Sequence, residues 1–251
     1  MSQMRTVLAF FFLLLAYGCA GTNTNRTVDS NNIFDSSSEP KLSIEVSQNL
    51  QYLGEVEQKG KHKEKIGSRS LQIKKFSYLF GRVESGKRLE RGILVRIEHV
   101  QKGSWRPEIF IDEGYMLVED DVMFGSKIYQ HMVTVTSSMF TPAEMELIEN
   151  EGKLPERDST SPFFSKTEKV RLKQGYVVPD CYMVEAFGRR AGRMNDIKIM
   201  IYYFEDVDNV STAYTCRDWQ SQDASMSDKR YLLNDFIDRN KGIFRILRDA
   251  S

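Results

Sequence analysis

The stretch Gly92-Ile-Leu-Val-Arg-Ile-Glu-His-Val100 alternates with a period of two. That is the signature of an extended strand rather than a helix, because successive side chains on a strand point to opposite faces. The same period, bounded by turn residues, recurs at Asn49–Glu57, Leu71–Phe80, Glu108–Ile111, Tyr115–Val118, Lys127–Thr136, Tyr182–Phe187, Asp196–Val207 and Val210–Cys216. Gln58–Arg69 reads as a basic loop between two strands, and Gly188–Met194 as a glycine-rich hairpin loop.

Two segments break the pattern. Thr141-Pro142-Ala143-Glu144 supplies a capping hydroxyl, a proline at the first helical position and an acid in the first turn, so a short helix is expected from there to about Gly152. Tyr231, Leu232, Phe236 and Ile237 fall at helical spacing within Ser227–Asn240, with Gly242 suited to the C-terminal cap. The expected fold class is α+β: a mainly antiparallel β-sheet with a short mid-chain helix and a C-terminal helix. Residues 42–251 are read as one domain, and the polar, proline-bearing stretch 152–166 is the place where it would subdivide.

The amino terminus has a different character. Arg5 precedes an almost wholly apolar run, Val7–Ala16, and small residues follow at Gly18 and Ala20. One cation, a short apolar run and small residues at a cleavage point describe a secretory signal peptide. The run is too short to span a bilayer, which needs about 20 residues. Leu15-Ala16-Tyr17-Gly18-Cys19 resembles a bacterial lipobox. The resemblance implies a signal peptide over 1–18, cleavage before Cys19, and acylation of that cysteine. It further implies, since Ala20 rather than Asp follows, retention at the outer membrane facing the periplasm. Ordinary cleavage after Ala20 is the other way to read the same small residues. Residues 19–41, rich in Asn, Ser and Thr, are expected to form a flexible tether. Such a tether would span roughly 25 Å as a coil and about 70 Å fully stretched.

Of the three cysteines, lipidation takes Cys19 and leaves Cys181 and Cys216, which an oxidising compartment would bridge. A simple three-stranded meander through 182–187, 197–204 and 211–216 would hold them about 9.6 Å apart. That exceeds the roughly 7 Å limit between Cα atoms for a disulfide. Bridge and meander therefore exclude each other, and export favours the bridge.

The 35 basic and 35 acidic side chains balance, which argues against broad electrostatic binding of nucleic acid. No nucleophile elbow, phosphate loop, dinucleotide fingerprint or zinc-binding helix motif is present, so no catalytic residue, metal or cofactor is assigned. His62, His99 and His131 lack partners at ligand spacing. Glu119-Asp120-Asp121, in an expected loop, and Glu205–Asn209, in an expected turn, carry oxygen ligands but read first as solvated turns. Two basic groups, Lys59, Lys61, Lys63, Lys65 and Arg69, then Arg189, Arg190 and Arg193, are candidates for contact with anionic lipid, anionic glycan or an envelope protein. Trp105 and Trp219 lie among polar residues as candidate anchors for a partner, while Phe76, Tyr78 and Phe80 read as one buried strand face. The leading expectation is a non-enzymatic binding or assembly protein held on the membrane through Cys19. An envelope hydrolase using scattered acids and histidines, and a carrier of a small apolar ligand, are the alternatives.

Overall fold

A computed structural model describes residues 25–63, 70–83, 89–105, 117–137, 181–220 and 226–250. The expected mid-chain helix, the strands at 108–111 and 115–116, and the stretch 152–166 lie outside them.

Seven long strands form one antiparallel sheet: β4 (Gln51–Lys63), β5 (Ser70–Val83), β6 (Leu89–Val100), β7 (Leu117–Phe124), β8 (Lys127–Ser137), β9 (Cys181–Ala191) and β10 (Ile197–Asp206). Their order is β4-β5-β6-β10-β9-β8-β7. The alternating stretch Gly92–Val100 makes up most of β6, which pairs with β5 on one side and β10 on the other. Four short strands form a second antiparallel sheet in the order β1-β2-β3-β11: β1 (Arg26–Val28), β2 (Ile33–Ser36), β3 (Leu42–Val46) and β11 (Phe244–Asp249). The helices among the described residues are α1 (Val207–Val210), α2 (Cys216–Gln220) and α3 (Met226–Asn240). The protein is therefore mostly antiparallel β-sheet with few helices.

The period of two sorts the side chains of the large sheet into two buried faces. Phe76, Tyr78, Phe80, Ile93, Val95, Ile97, Ile199, Ile201 and Tyr203 share a core with Phe34, Leu42 and Ile44 of the small sheet and Leu233 and Phe236 of α3. The Phe34 and Tyr78 rings pack tilted, 4.5 Å apart, and Tyr203 meets Phe236 at 5.5 Å. Leu79, Leu94, Met132, Val184, Met200, Tyr202 and Phe204 form a separate cluster from the alternate positions. Gly92 shows how closely the strands pack: a Cβ there would lie 2.2 Å from the Phe80 carbonyl oxygen and 2.5 Å from the Phe204 ring.

Several expectations are corrected. Residues 26–36, within the expected tether, are two strands of the small sheet. Phe34 is fully buried in the core, and the Arg26 guanidinium donates to Ser36 Oγ and the Glu39 carbonyl. Residues 58–63 extend β4, and residues 188–191 extend β9, instead of forming loops. Glu119-Asp120-Asp121 lies in β7, where the pairing with β8 shifts register. Val210–Cys216 is not a strand: residues 211–215 form a turn between α1 and α2, with Asp206 capping α1 by accepting from the Asp208 amide. That change removes the meander geometry. Cys181, at the start of β9, and Cys216, at the start of α2, form a disulfide with 5.8 Å between Cα atoms.

Candidate functional site

The polar side chains that sequence reasoning could not group converge beneath α3 and the small sheet. His131 on β8 and Glu185 on β9 share the sheet's inner face, and His131 Nε2 lies 2.9 Å from Glu185 Oε1. The second Glu185 oxygen accepts from Asn240 Nδ2 at 3.0 Å, at the last residue of α3. Glu205 accepts from Arg239 of α3 and from the Tyr203 hydroxyl, each at 3.0 Å. Asp249 of β11 accepts from Arg189, through both Nε and Nη2, and from the Tyr129 hydroxyl at 2.6 Å. Burial first, and then the neighbouring Asp249 and Glu205 carboxylates, push the Tyr129 and Tyr203 hydroxyl pKa values up, so both stay protonated donors at neutral pH.

This constellation holds elements together. His131 and Glu185 are 3% and 4% exposed, and each Glu185 oxygen is already occupied. A general base must reach a substrate proton within hydrogen-bond distance, and this pair is enclosed. Buried charges are tolerated when paired and hydrogen-bonded. Here each carboxylate fastens a late element of the chain, α3 or β11, to the large sheet.

Two other polar groups lie at the sheet end where β6 finishes and β10 begins. Arg26 Nη2 lies 3.1 Å from His99 Nε2, and its guanidinium packs over Phe76 at 4.2 Å. Burial, then the Arg26 charge, lowers the His99 pKa to about 4, so the ring is neutral and accepts from Arg26 at neutral pH. Nearby, Glu98 bridges Lys75 and Lys198 at 3.2 Å each, and Lys198 sits over the Trp105 ring at 4.6 Å.

The same end carries the exposed apolar residues. Met123 and Ile128 are cross-strand partners at the tip of the β7–β8 hairpin, and are 65% and 57% exposed. Met194, in the turn between the neighbouring strands β9 and β10, is 72% exposed. Gly192 at φ 81° and Asn195 at φ 54° adopt left-handed backbone around it, which puts Arg193 and Met194 outward on a tight turn. Tyr231 on α3 and Leu247 on β11 are the other exposed large hydrophobics among the described residues.

The candidate residues from the sequence separate accordingly. Lys59 and Lys61 are exposed on β4; Lys63 is on the same strand, its side chain outside the description; Lys65 and Arg69 lie outside the described residues. Arg189 is corrected: it is buried against Asp249 and contributes nothing to a surface patch. Arg190, one residue on, faces the opposite side, beside Trp105. Arg193 alone of the three stands exposed on the turn. Trp105 and Trp219, at 6% and 1% exposure, are buried instead of offered to a partner. Phe76, Tyr78 and Phe80 are buried on one face as expected. Among the described residues no group of three or more His, Cys, Asp or Glu is placed to hold a metal ion. Cys19 lies outside the description.

No protein-family model, no curated protein and no solved structure matches the chain.

Proposed function

We propose that the protein is an exported lipoprotein of the bacterial envelope, anchored through acylated Cys19 at the outer membrane and facing the periplasm, where it serves as a non-catalytic binding or assembly protein. The observation that supports export is the Cys181–Cys216 disulfide, which is equally expected after ordinary cleavage, so the anchor rests on the lipobox-like segment. The bridge suits an oxidising compartment, and it takes two of the three cysteines. The remaining one, Cys19, directly follows the apolar run and small residue of a lipobox-like segment.

The binding role is supported by where the polar chemistry goes. The buried carboxylates serve α3 and β11, while apolar side chains of two neighbouring hairpins stand in solvent. Exposed apolar residues grouped on neighbouring turns suit a contact with a partner or a membrane.

The test is fractionation with intact mass. Wild-type chain from membranes should begin at Cys19, carry acyl chains and require detergent for release; Cys19→Ser should appear in the soluble fraction. A mature chain beginning at Gly21 without lipid, or a Cys19→Ser variant that still needs detergent, overturns the reading.

A further inference from the structure

The strand assignment at Arg26 changes the distance from membrane to fold. If Cys19 carries the lipid, seven residue steps separate it from β1, not the long tether that composition suggests. Fully extended, that connection reaches at most about 25 Å. It also arrives at one identifiable end of the sheet. Arg26 contacts His99, and His99 pairs in register with Ile197, the first residue of β10 after the turn that carries Arg193 and Met194. The next hairpin along, β7–β8, presents Met123 and Ile128 at the same end, because β8 begins where β9 finishes.

In the connections at this end of the sheet the described charges are mainly positive. Lys102 follows β6, Lys127 begins β8, and Arg193 shares the turn with Met194; Asp196, at the foot of that turn, opposes them. Apolar tips that share one end with cations suit the boundary between headgroups and acyl chains of an anionic bilayer.

We infer that this end of the sheet is a bilayer-docking face, with Met123, Ile128 and Met194 inserted among the lipids and Lys102, Lys127 and Arg193 at the level of anionic headgroup phosphates. The inference rests on the lipoprotein reading for its short connection. The anchor keeps the face at high local concentration above the membrane, so individually weak tip contacts suffice to hold one orientation. The opposite end, where β10 runs into α1, then points away from the membrane.

The experiment places single cysteines in the full chain at Met123, Met194 and, as the far-end control, exposed Asn209 of α1. Each is labelled with the environment-sensitive fluorophore NBD and reconstituted into vesicles of phosphatidylethanolamine and phosphatidylglycerol. Expected are a blue-shifted emission and several-fold stronger quenching by nitroxide-bearing lipid at 123 and 194 than at 209. Met123→Asp carried together with the 194 probe should abolish most of that difference without releasing the anchored chain.

Equal, water-like signals at all three positions of a membrane-bound chain overturn the docking face and leave the anchor standing. Probes at 123 and 194 already shielded before lipid is added, with a doubled mass in light scattering, assign the face to a second copy and also overturn it. If the chain proves unacylated, the same labelled protein is mixed with phosphatidylglycerol or phosphatidylcholine vesicles. Selective blue shift on the anionic vesicles supports the face independently of the anchor, and none on either overturns it.

Discussion

His99 accepts a hydrogen bond from Arg26 only while its Nε2 is unprotonated. Burial and the adjacent guanidinium both oppose the charged ring, so the folded-state pKa is about 4 against an ordinary 6.5. The unfolded chain then binds more protons than the folded one between these two values, and stability falls as pH drops through that window. The loss expected is on the order of 2 kcal/mol by pH 4, since the ring keeps some contact with water. Urea denaturation at pH 7 and pH 4.5 measures it. His99→Gln, whose amide oxygen can still accept from Arg26, should flatten this part of the profile; an unchanged slope would assign it to other groups. At the same scale, Asp249→Asn leaves Arg189 with a buried, poorly matched charge. Removing one partner of a buried pair typically costs about 3 kcal/mol or more, and a shift in the denaturation midpoint of wild type against variant reports it. None of these pairs was legible in the sequence. His99 and Arg26 lie far apart in the chain, as do Arg189 and Asp249, and only the folded register brings each pair together. The basic Arg189-Arg190 dipeptide reads as a loop until the period of two is continued through it, which sends one residue to the core and the other to the opposite face.

Elements were legible where apolar residues alternate and hidden where burial is achieved by few side chains. β5, β6 and β10 follow from their own periodicity. β1 and β2 contain mostly polar residues, and their place in the small sheet rests on Phe34 in the core and on the hydrogen bonds of Arg26 and Ser36. β11 has no local signal either: its partner is β3, near the other end of the chain, so that pairing is a tertiary fact. The C-terminal helix is the opposite case. Its spacing of Tyr231, Leu232, Phe236 and Ile237 predicts one apolar stripe: Phe236 is fully buried against Tyr203 and Leu232 and Ile237 pack partly buried beside it, but Tyr231 is exposed and Leu233 is buried in its place. Phe236→Ala should therefore destabilise the fold by about 3–5 kcal/mol, through lost transfer energy and the cavity left behind. Tyr231→Ala, at a position 74% exposed on the same helix, should change stability by no more than about 0.5 kcal/mol. Thermal or chemical denaturation of the two variants checks the assignment of faces, and similar losses for both would contradict it.

At the scale of the whole molecule the disulfide links parts that the sheet alone does not fasten. β8 and β9 are neighbours in space, yet residues 138–180 lie between them in sequence, and the tight turn that ties β9 to β10 is at the other end of β9 from Cys181. The bridge pins its first residue to α2, in the connection between β10 and α3. A cross-link with a sequence separation of 35 removes loop-closure entropy from the unfolded chain, by a chain-entropy estimate of about 4 kcal/mol. For a folded region of this size, 1 kcal/mol corresponds to roughly 2–4 °C in Tm. Cys181→Ser, or reduction, should thus lower Tm by roughly 10 °C. Cys19→Ser, which keeps both bridge cysteines, should leave the Tm of the exported chain unchanged. Scanning calorimetry with and without reductant makes the comparison, and alkylation of unreduced, denatured protein should find neither Cys181 nor Cys216 reactive. If reduction leaves Tm where it was, the sheet holds β9 unaided. The bridge would then mark the compartment without stabilising the fold, and the protein should fold equally well when made with its thiols reduced.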